Sequence, residues 1–342
     1  MTKAAGLYKH LTLRAASGPP AEALSGRRAL RMAALQASSA IPVVDLRGSE
    51  LAAHGDALLS ALRSVGAVQL LLPDAAAALN GRALALFSAF LRRPEAYKAR
   101  FAIADGATTD GYHAMGALAP YYNANRSGVI FEDDALADLF DGGDEDFVAV
   151  ASAWRAACRR IAAEALEAVA AAAGADAAPF AAGGAFDARR GGQFHAKRTH
   201  ASGAAAGDVL LPPHRDPSLL SMVNHGASPC GLEVYVAGAY SPLPLAGPAV
   251  VTLLAGSLLS AVLPGVLAPK HRVVAGFDDA DDAPRVAATF FFQPRDDARV
   301  GDLAAPNPRA HPTYAEWKAR AYRRYFKATR SRVARAAEIP AA

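Results

Sequence analysis

Apolar residues follow two rhythms along this chain, and the change between them divides it. Up to about residue 175 the prevailing spacing is that of amphipathic helices. Leu51, Leu58, Leu59 and Leu62 recur on one face and predict a helix over 50–63, with Ser49 placed to cap it. Asp74 is placed to cap a second helix reaching about residue 91, and Pro94 opens a short third one with Glu95 in its first turn. Trp154, Cys158, Ile161, Ala165 and Val169 fall at three- and four-residue steps. They predict a long helix over 147–173 whose stripe is core. Between these helices, Ile41-Pro-Val-Val-Asp45 reads as an edge strand and 67–72, released by Gly66, as a buried one. Residues 105–130 read as loop, with Gly106, Gly111 and Gly116 beside Tyr112, Tyr121 and Tyr122, tyrosines that either pack or face a substrate. The acidic, glycine-broken segment 133–146 fits no EF-hand spacing and reads as a solvated loop.

An Ala/Gly-rich connector at 174–192 leads into the second rhythm. From 193 to 294 short segments alternate with turn residues every eight to twelve positions, the pattern of an all-β sandwich or barrel. Within it, the uncharged stretch between Glu233 and Lys270 could be mistaken for a membrane span. Pro248 and Pro264 bracket only fifteen residues there, short of the roughly 20 a span needs, so buried strands are expected. Helical periodicity returns over 314–336 with a basic outer face, predicting a helix docked on the body. Helices outside a β core make the fold class α+β.

Composition narrows the functions. The chain has 342 residues, and 52% hydrophobic against 20% charged excludes disorder throughout. Cys158 and Cys230 are too few for a disulfide framework and suit a reducing compartment. The net charge of +4 is unevenly spread: residues 1–40 carry +5 and 309–342 carry +7, which leaves the body at −8. An acidic body argues against a nucleic-acid binder, which needs a basic face on the fold itself. Residues 1–40 are rich in Ala, Arg and Ser without a continuous apolar core. Secretion is not expected; an organelle address and a disordered leader both remain open, with a cytoplasmic protein as the default.

The chemistry concentrates in three residues. His214 and Asp216 lie two apart in Pro-Pro-His-Arg-Asp-Pro-Ser-Leu-Leu, and His271 follows in Pro-Lys-His-Arg-Val-Val. On a strand, positions two apart share a face. Two imidazoles and one carboxylate on one side of an ion form the facial triad of non-haem Fe(II) oxygenases, with three positions open. An isolated His-x-Asp also arises by chance at turns. In the alternating run 285–291, Arg285, Ala287 and Thr289 share a face. An arginine facing the interior needs an anion, such as the far carboxylate of a 2-oxo diacid, unless it pairs with a protein acid or projects at a strand end. His195 and His200 flank Lys197 and either approach the pocket or, as expected, take a core or surface role; His225 reads as structural.

These residues, with Gly66, Gly111-Tyr112, Gly231-Leu-Glu-Val234, Gly256 and Phe291-Phe-Gln-Pro294, stand in the order found in a known family. Over about 41–330 the chain resembles the isopenicillin N synthase-like family of Fe(II)/2-oxoglutarate-dependent dioxygenases. The resemblance implies a double-stranded β-helix (jelly-roll) core with flanking helices, including a long one before the barrel and one at the C-terminus. It implies Fe(II) held by His214, Asp216 and His271, the distal carboxylate of 2-oxoglutarate on Arg285, and O2 as oxidant, with ascorbate as an optional reductant. The reaction expected is hydroxylation or desaturation of a small organic substrate by a monomer. The expected layout is a leader over 1–40, a mostly helical region over 41–185, the jelly-roll over 186–300 and a C-terminal helix and tail over 301–342.

Three positions depart from the family pattern. Arg-x-Ser is here Arg285-Val-Ala287, which removes one hydroxyl from the co-substrate site, a loss of about 1 kcal/mol. Asn-x-Tyr falls on Lys197 and Thr199, of which Thr199 keeps a hydroxyl; the Gly-Asp before the second histidine is Gly256-Ser257. These departures leave two alternatives open: a same-fold Fe(II) oxidase that does not use 2-oxoglutarate, and a non-catalytic jelly-roll binding module.

Overall fold

Alternation beyond residue 192 produces strands with one aromatic face and one polar face, and this asymmetry organises the molecule. The computed structural model describes residues 41–105, 107, 109–117, 125–132, 145–184, 186, 192–201, 203–226, 231–245, 247–276, 285–300 and 313–323. Twelve strands are found among them: β1 Val43–Asp45, β2 Ala67–Leu71, β3 Gly111–His113, β4 Arg126–Glu132, β5 Gln193–Thr199, β6 Val209–His214, β7 Leu220–His225, β8 Leu232–Val236, β9 Ala239–Pro242, β10 Val250–Ala255, β11 His271–Val274 and β12 Val286–Phe292. Eight form a large sheet in the order β1-β2-β10-β7-β12-β5-β4-β3, and four a smaller one in the order β6-β11-β8-β9. The two sheets make the jelly-roll.

The helices are α1 Gly55–Ser64, α2 Asp74–Arg92, α3 Glu95–Lys98, α4 Glu145–Ala172, α5 Ser257–Val262 and α6 over 314–323. Helix α4 packs against α1 and α2, and its stripe from Trp154 to Val169 is buried as the periodicity requires. Phe131, Phe194, Phe290 and Phe292 point from the large sheet into the same core, with Phe87 of α2 set 5.4 Å from Phe194. Burying a phenylalanine contributes about 1.5–3 kcal/mol, so these contacts fix which face of each strand turns outward to the helices. A second cluster, including Leu211, Leu232, Val234, Leu254 and Val273, fills part of the space between the sheets.

Several expectations are corrected. Residues 105–130 are not all loop: Gly111–His113 and Arg126–Glu132 are strands, because β4 pairs along its length with β5, Val129 opposite Ala196 and Phe131 opposite Phe194. The stretch 249–263 is strand only as far as Ala255, then turns at Gly256 into α5. Ser49 does not cap a helix; a 3-10 turn over Leu51–His54 precedes α1, and the Ser49 hydroxyl lies 2.7 Å from Nε2 of His54. Asp74 is the first residue of α2 and makes no capping hydrogen bond. Residues 1–40, most of 133–146, Tyr121, Tyr122, Cys230 and the part of the expected C-terminal helix beyond 323 lie outside the described residues. Among the described residues no helix is long and apolar enough to cross a membrane.

One turn ties the sheets to the chemistry. The Gly256 amide donates to the Leu219 carbonyl at 2.8 Å, and the Ser257 amide to the Asp216 carbonyl at 2.7 Å. A Cβ on Gly256 would sit 1.8 Å from the Ser218 carbonyl oxygen, closer than any real contact. Gly256→Ala is therefore expected to cost about 2–4 kcal/mol in denaturant unfolding, by overpacking against fixed backbone. Gly226→Ala, where a Cβ meets nothing within 4 Å, is the control and should change stability by no more than about 0.5 kcal/mol.

Candidate metal centre

β6 and β11 run antiparallel with His214 and His271 directly opposite one another. Their ring centroids lie 4.2 Å apart. Asp216 stands just beyond the end of β6, so its carboxylate joins the imidazoles through the turn held by Ser257, not through the strand alternation expected from the sequence. Nε2 of His214 is 3.6 Å from one Asp216 oxygen, and Nε2 of His271 is 3.6 Å from the other. Donor atoms from all three residues fall within 4.8 Å of one another, and all three side chains are buried.

The backbone also sets which nitrogen is presented. Nδ1 of His214 donates to the Pro212 carbonyl at 2.9 Å, and Nδ1 of His271 lies 3.5 Å from the Pro269 carbonyl. The carbonyl of a proline two residues before each histidine thus faces Nδ1–H as its acceptor and leaves Nε2 turned toward Asp216. Burial and the neighbouring His271 push His214 down to about 3, against the pull of Asp216, so its imidazole is neutral at neutral pH. Two ligands on adjacent positions of one ion, each at about 2.1 Å, stand roughly 3 Å apart. A gap of 3.6 Å is near that spacing and too long for a hydrogen bond. The donor set, two imidazoles and a carboxylate, fits a divalent first-row metal with further positions for other ligands.

Facing this triad is the inner face of the large sheet. Arg126, Lys197, Thr199, Arg285, Ala287 and Thr289 line the same cavity as His214, Asp216 and His271. Strand register sets them in rows. Arg126 on β4 is opposite Thr199 on β5, whose amide donates to the Arg285 carbonyl at 3.1 Å. In the next row Lys197 stands between Gly128 and Ala287. Arg285 is buried, and its Nη1 donates to the Thr199 hydroxyl at 2.8 Å. The free volume between these side chains is about 60 Å³. The long side chains of Arg126, Lys197 and Arg285 leave little space between them, and burial together with Arg126 holds the Lys197 amine well below its ordinary range.

His195 turns its ring edge toward Phe291 at 4.7 Å, and His200 lies 3.0 Å from the Ser127 hydroxyl. His225 is buried on β7. None of the three lines the cavity, in keeping with structural roles. Tyr112 donates to Glu95 at 2.8 Å, which places it in packing under α3. Sequence reasoning missed Arg126. The apolar run Val129-Ile-Phe131 was the available signal for a strand, and alternation from Phe131 would have turned residue 126 inward.

Comparison with known proteins agrees with this architecture. No family model matches the chain. Deacetoxycephalosporin C synthase of Amycolatopsis lactamdurans is 30% identical over 125 residues, which cover 32% of this chain and 38% of that protein. The matched stretch thus spans less than half of that relative. A rice dioxygenase for auxin oxidation superposes with a TM-score of 0.62 at 22% identity, covering 84% of this chain and 95% of its own. A Neurospora crassa protein crystallised with alpha-KG superposes with a TM-score of 0.65 at 16% identity, covering 82% and 96%.

Three histidines carry the cost of this environment. Burial, with Lys197 and Arg126 nearby, pushes His113 down to about 3, and burial also lowers His195 and His214. The unfolded chain takes up these protons near pH 6.5 and the folded chain does not. Stability is therefore complete above about pH 6.5 and falls as pH drops from there toward 3, by up to about 1.4 kcal/mol per pH unit for each histidine. His113→Leu should flatten that acid limb, as measured by urea unfolding between pH 4 and 7. An unchanged slope would show that His113 is protonated in the fold.

Proposed function

We propose that this chain, which has the fold of the Fe(II)/2-oxoglutarate oxygenases and resembles their isopenicillin N synthase-like family, is a dioxygenase that couples 2-oxoglutarate decarboxylation to oxidation of a small organic substrate. The observation that carries this reading is a buried His-Asp-His set that shares a chamber with a buried arginine. His214, Asp216 and His271 are the proposed Fe(II) ligands. Iron held there would supply the binding and reduction of O2, with 2-oxoglutarate as the electron donor whose products are succinate and CO2.

The chain's own residues do the rest. Both histidines present Nε2 because their Nδ1 protons face proline carbonyls. Arg285 is the proposed partner of the distal carboxylate, since a guanidinium forks onto a carboxylate with two parallel hydrogen bonds. Thr199 holds Arg285 from the neighbouring strand, which partly replaces the hydroxyl missing at Ala287. Admitting a five-carbon diacid into about 60 Å³ requires a long side chain of the lining to shift, and the flexible stem of Lys197 is suited to it. The aromatic and aliphatic walls around the chamber limit water near the reacting atoms. The proposed layout has the helical region over 41–185 buttressing the jelly-roll over 186–300, in a monomer of the reducing cytoplasm.

Two measurements test the reading. His214→Ala or Asp216→Ala should lower Fe(II) binding from one ion per chain to near zero in anaerobic equilibrium dialysis. Full stoichiometry in both variants would remove the triad from the metal site. Arg285→Ala should raise the 2-oxoglutarate concentration needed for half-maximal succinate release by at least tenfold in a substrate-library screen, because truncation leaves a buried charge without its partner. If products form without succinate, the oxidase alternative, which Ala287 favours, takes precedence.

A further inference from the structure

The chamber at the triad has about 60 Å³ free, so the body of a second reactant must lie outside it. A cavity of about 640 Å³ lies at the edge of the large sheet, where β3 ends. That volume is in the range of small-molecule sites. Among the described residues that line it, seven are alanines and an eighth is Ile103; Glu95 and Asp105 are acids, and none is lysine or arginine. Tyr112 and His113 reach it from opposite faces of β3. Tyr112 turns to the helices and donates to Glu95 at 2.8 Å, which leaves His113 on the face that continues into the chamber.

His113 is 2% exposed, yet its Nε2 has no hydrogen-bond partner. Its Nδ1 lies 3.3 Å from the Ala114 carbonyl, a contact that suits the protonated nitrogen, so Nε2 presents a lone pair. A buried acceptor without a donor costs stability, and a ligand that brings the donor recovers it. Register carries this residue toward the chemistry. His113 is opposite Gly128, Gly128 opposite Lys197, and Lys197 opposite Ala287. The row runs from cavity to chamber, with His113 and Lys197 two strand spacings apart, roughly 10 Å. A Cβ on Gly128 would sit 2.5 Å from the Ala196 carbonyl oxygen, which holds that position to glycine. The stem of Lys197 is then the one side chain of the row between His113 and Ala287.

We infer that the cavity at His113 seats the body of the prime substrate, an apolar uncharged molecule whose O–H or N–H group donates to Nε2 of His113 while its reacting end follows the row toward the triad. This inference rests on the dioxygenase reading and deepens it by naming the substrate class. Alanine walls favour an uncharged body, and Glu95 and Asp105 disfavour a carboxylate. A molecule whose donor is capped by a methyl group leaves Nε2 unpaired and loses the contact.

The test uses the full chain with Mn(II) in place of iron and N-oxalylglycine as an inert stand-in for 2-oxoglutarate. Calorimetric titration then follows a panel of phenols, indoles and alicyclic alcohols, each paired with its O-methyl or N-methyl derivative. At least one donor molecule should bind about tenfold or more tightly than its methylated partner. His113→Leu should bring that pair within about twofold of each other, and His113→Gln, which keeps an acceptor, should restore part of the preference. Ala99→Phe fills the cavity from an exposed wall position and should weaken both members at least tenfold. N-oxalylglycine affinity should stay within about twofold in all three variants. The inference is overturned if no donor molecule outbinds its methylated partner, if the preference survives His113→Leu, or if Ala99→Phe leaves binding unchanged. It is also overturned if His113→Leu weakens N-oxalylglycine as much as Arg285→Gln does, for then His113 serves the co-substrate. Failure of the underlying reading looks different: N-oxalylglycine would not bind the parent protein, or Arg285→Gln would leave its affinity unchanged. Unfolding midpoints of the variants, expected at or near the parent's, separate loss of binding from loss of fold.

Discussion

The direct pairing of His214 with His271 across β6 and β11 is the constraint on which the rest of the molecule depends. Two imidazoles can share one ion only if their strands are neighbours and in register, and a slip of one residue would send one ring to the other face. Asp216 is brought to them by a separate device, the backbone contacts between 216–219 and Gly256–Ser257. The centre is thus pinned from both sheets: its histidines belong to the small sheet, and the segment that carries its aspartate is tied to the end of β10 in the large one. Placement comes from main-chain hydrogen bonds, which depend little on side-chain identity. Presentation of the reactive nitrogens comes from the two proline carbonyls.

The large sheet shows how one alternation supplies two environments. On β5, Phe194 and Ala196 enter the aromatic core under the helices, while Lys197 and Thr199 enter the chamber. On β12, Phe290 and Phe292 take the first role and Arg285, Ala287 and Thr289 the second. Burial of the aromatic face offsets the cost of holding charge on the other, which an isolated strand could not bear. Polar residues at depth are therefore permitted here because the same backbone carries the core.

Much of this was legible in the sequence, for reasons that differ by residue. The triad was readable because metal chemistry restricts residue types and because His-x-Asp and His-Arg-Val stand at ordered spacings. The long helix was readable from Trp154 to Val169 because its stripe is purely periodic. The strand at Arg126–Glu132 was obscured by the glycines and tyrosines before it; its formation depends on a partner, β5, more than sixty residues away in the chain. Helix α5 was hidden for a related reason. Ser-Leu-Leu-Ser-Ala-Val has no strong helical signal of its own, and the bend at Gly256 that starts it is set by contact with Leu219. Local pattern reports what a segment prefers, whereas these two elements follow from what touches them.

The proline-oriented histidines have a consequence for life in a cell that holds several metals. Strand register and carbonyl contacts set the spacing of the triad through the main chain, so the donor types, and not an adjustable backbone, decide which ion it suits. Nitrogen and oxygen donors of this kind bind cobalt, nickel, copper or zinc at least as well as ferrous iron. Occupancy is then decided by which ion the cell keeps free, and mismetallation, not unfolding, is the failure to which such a centre is most exposed.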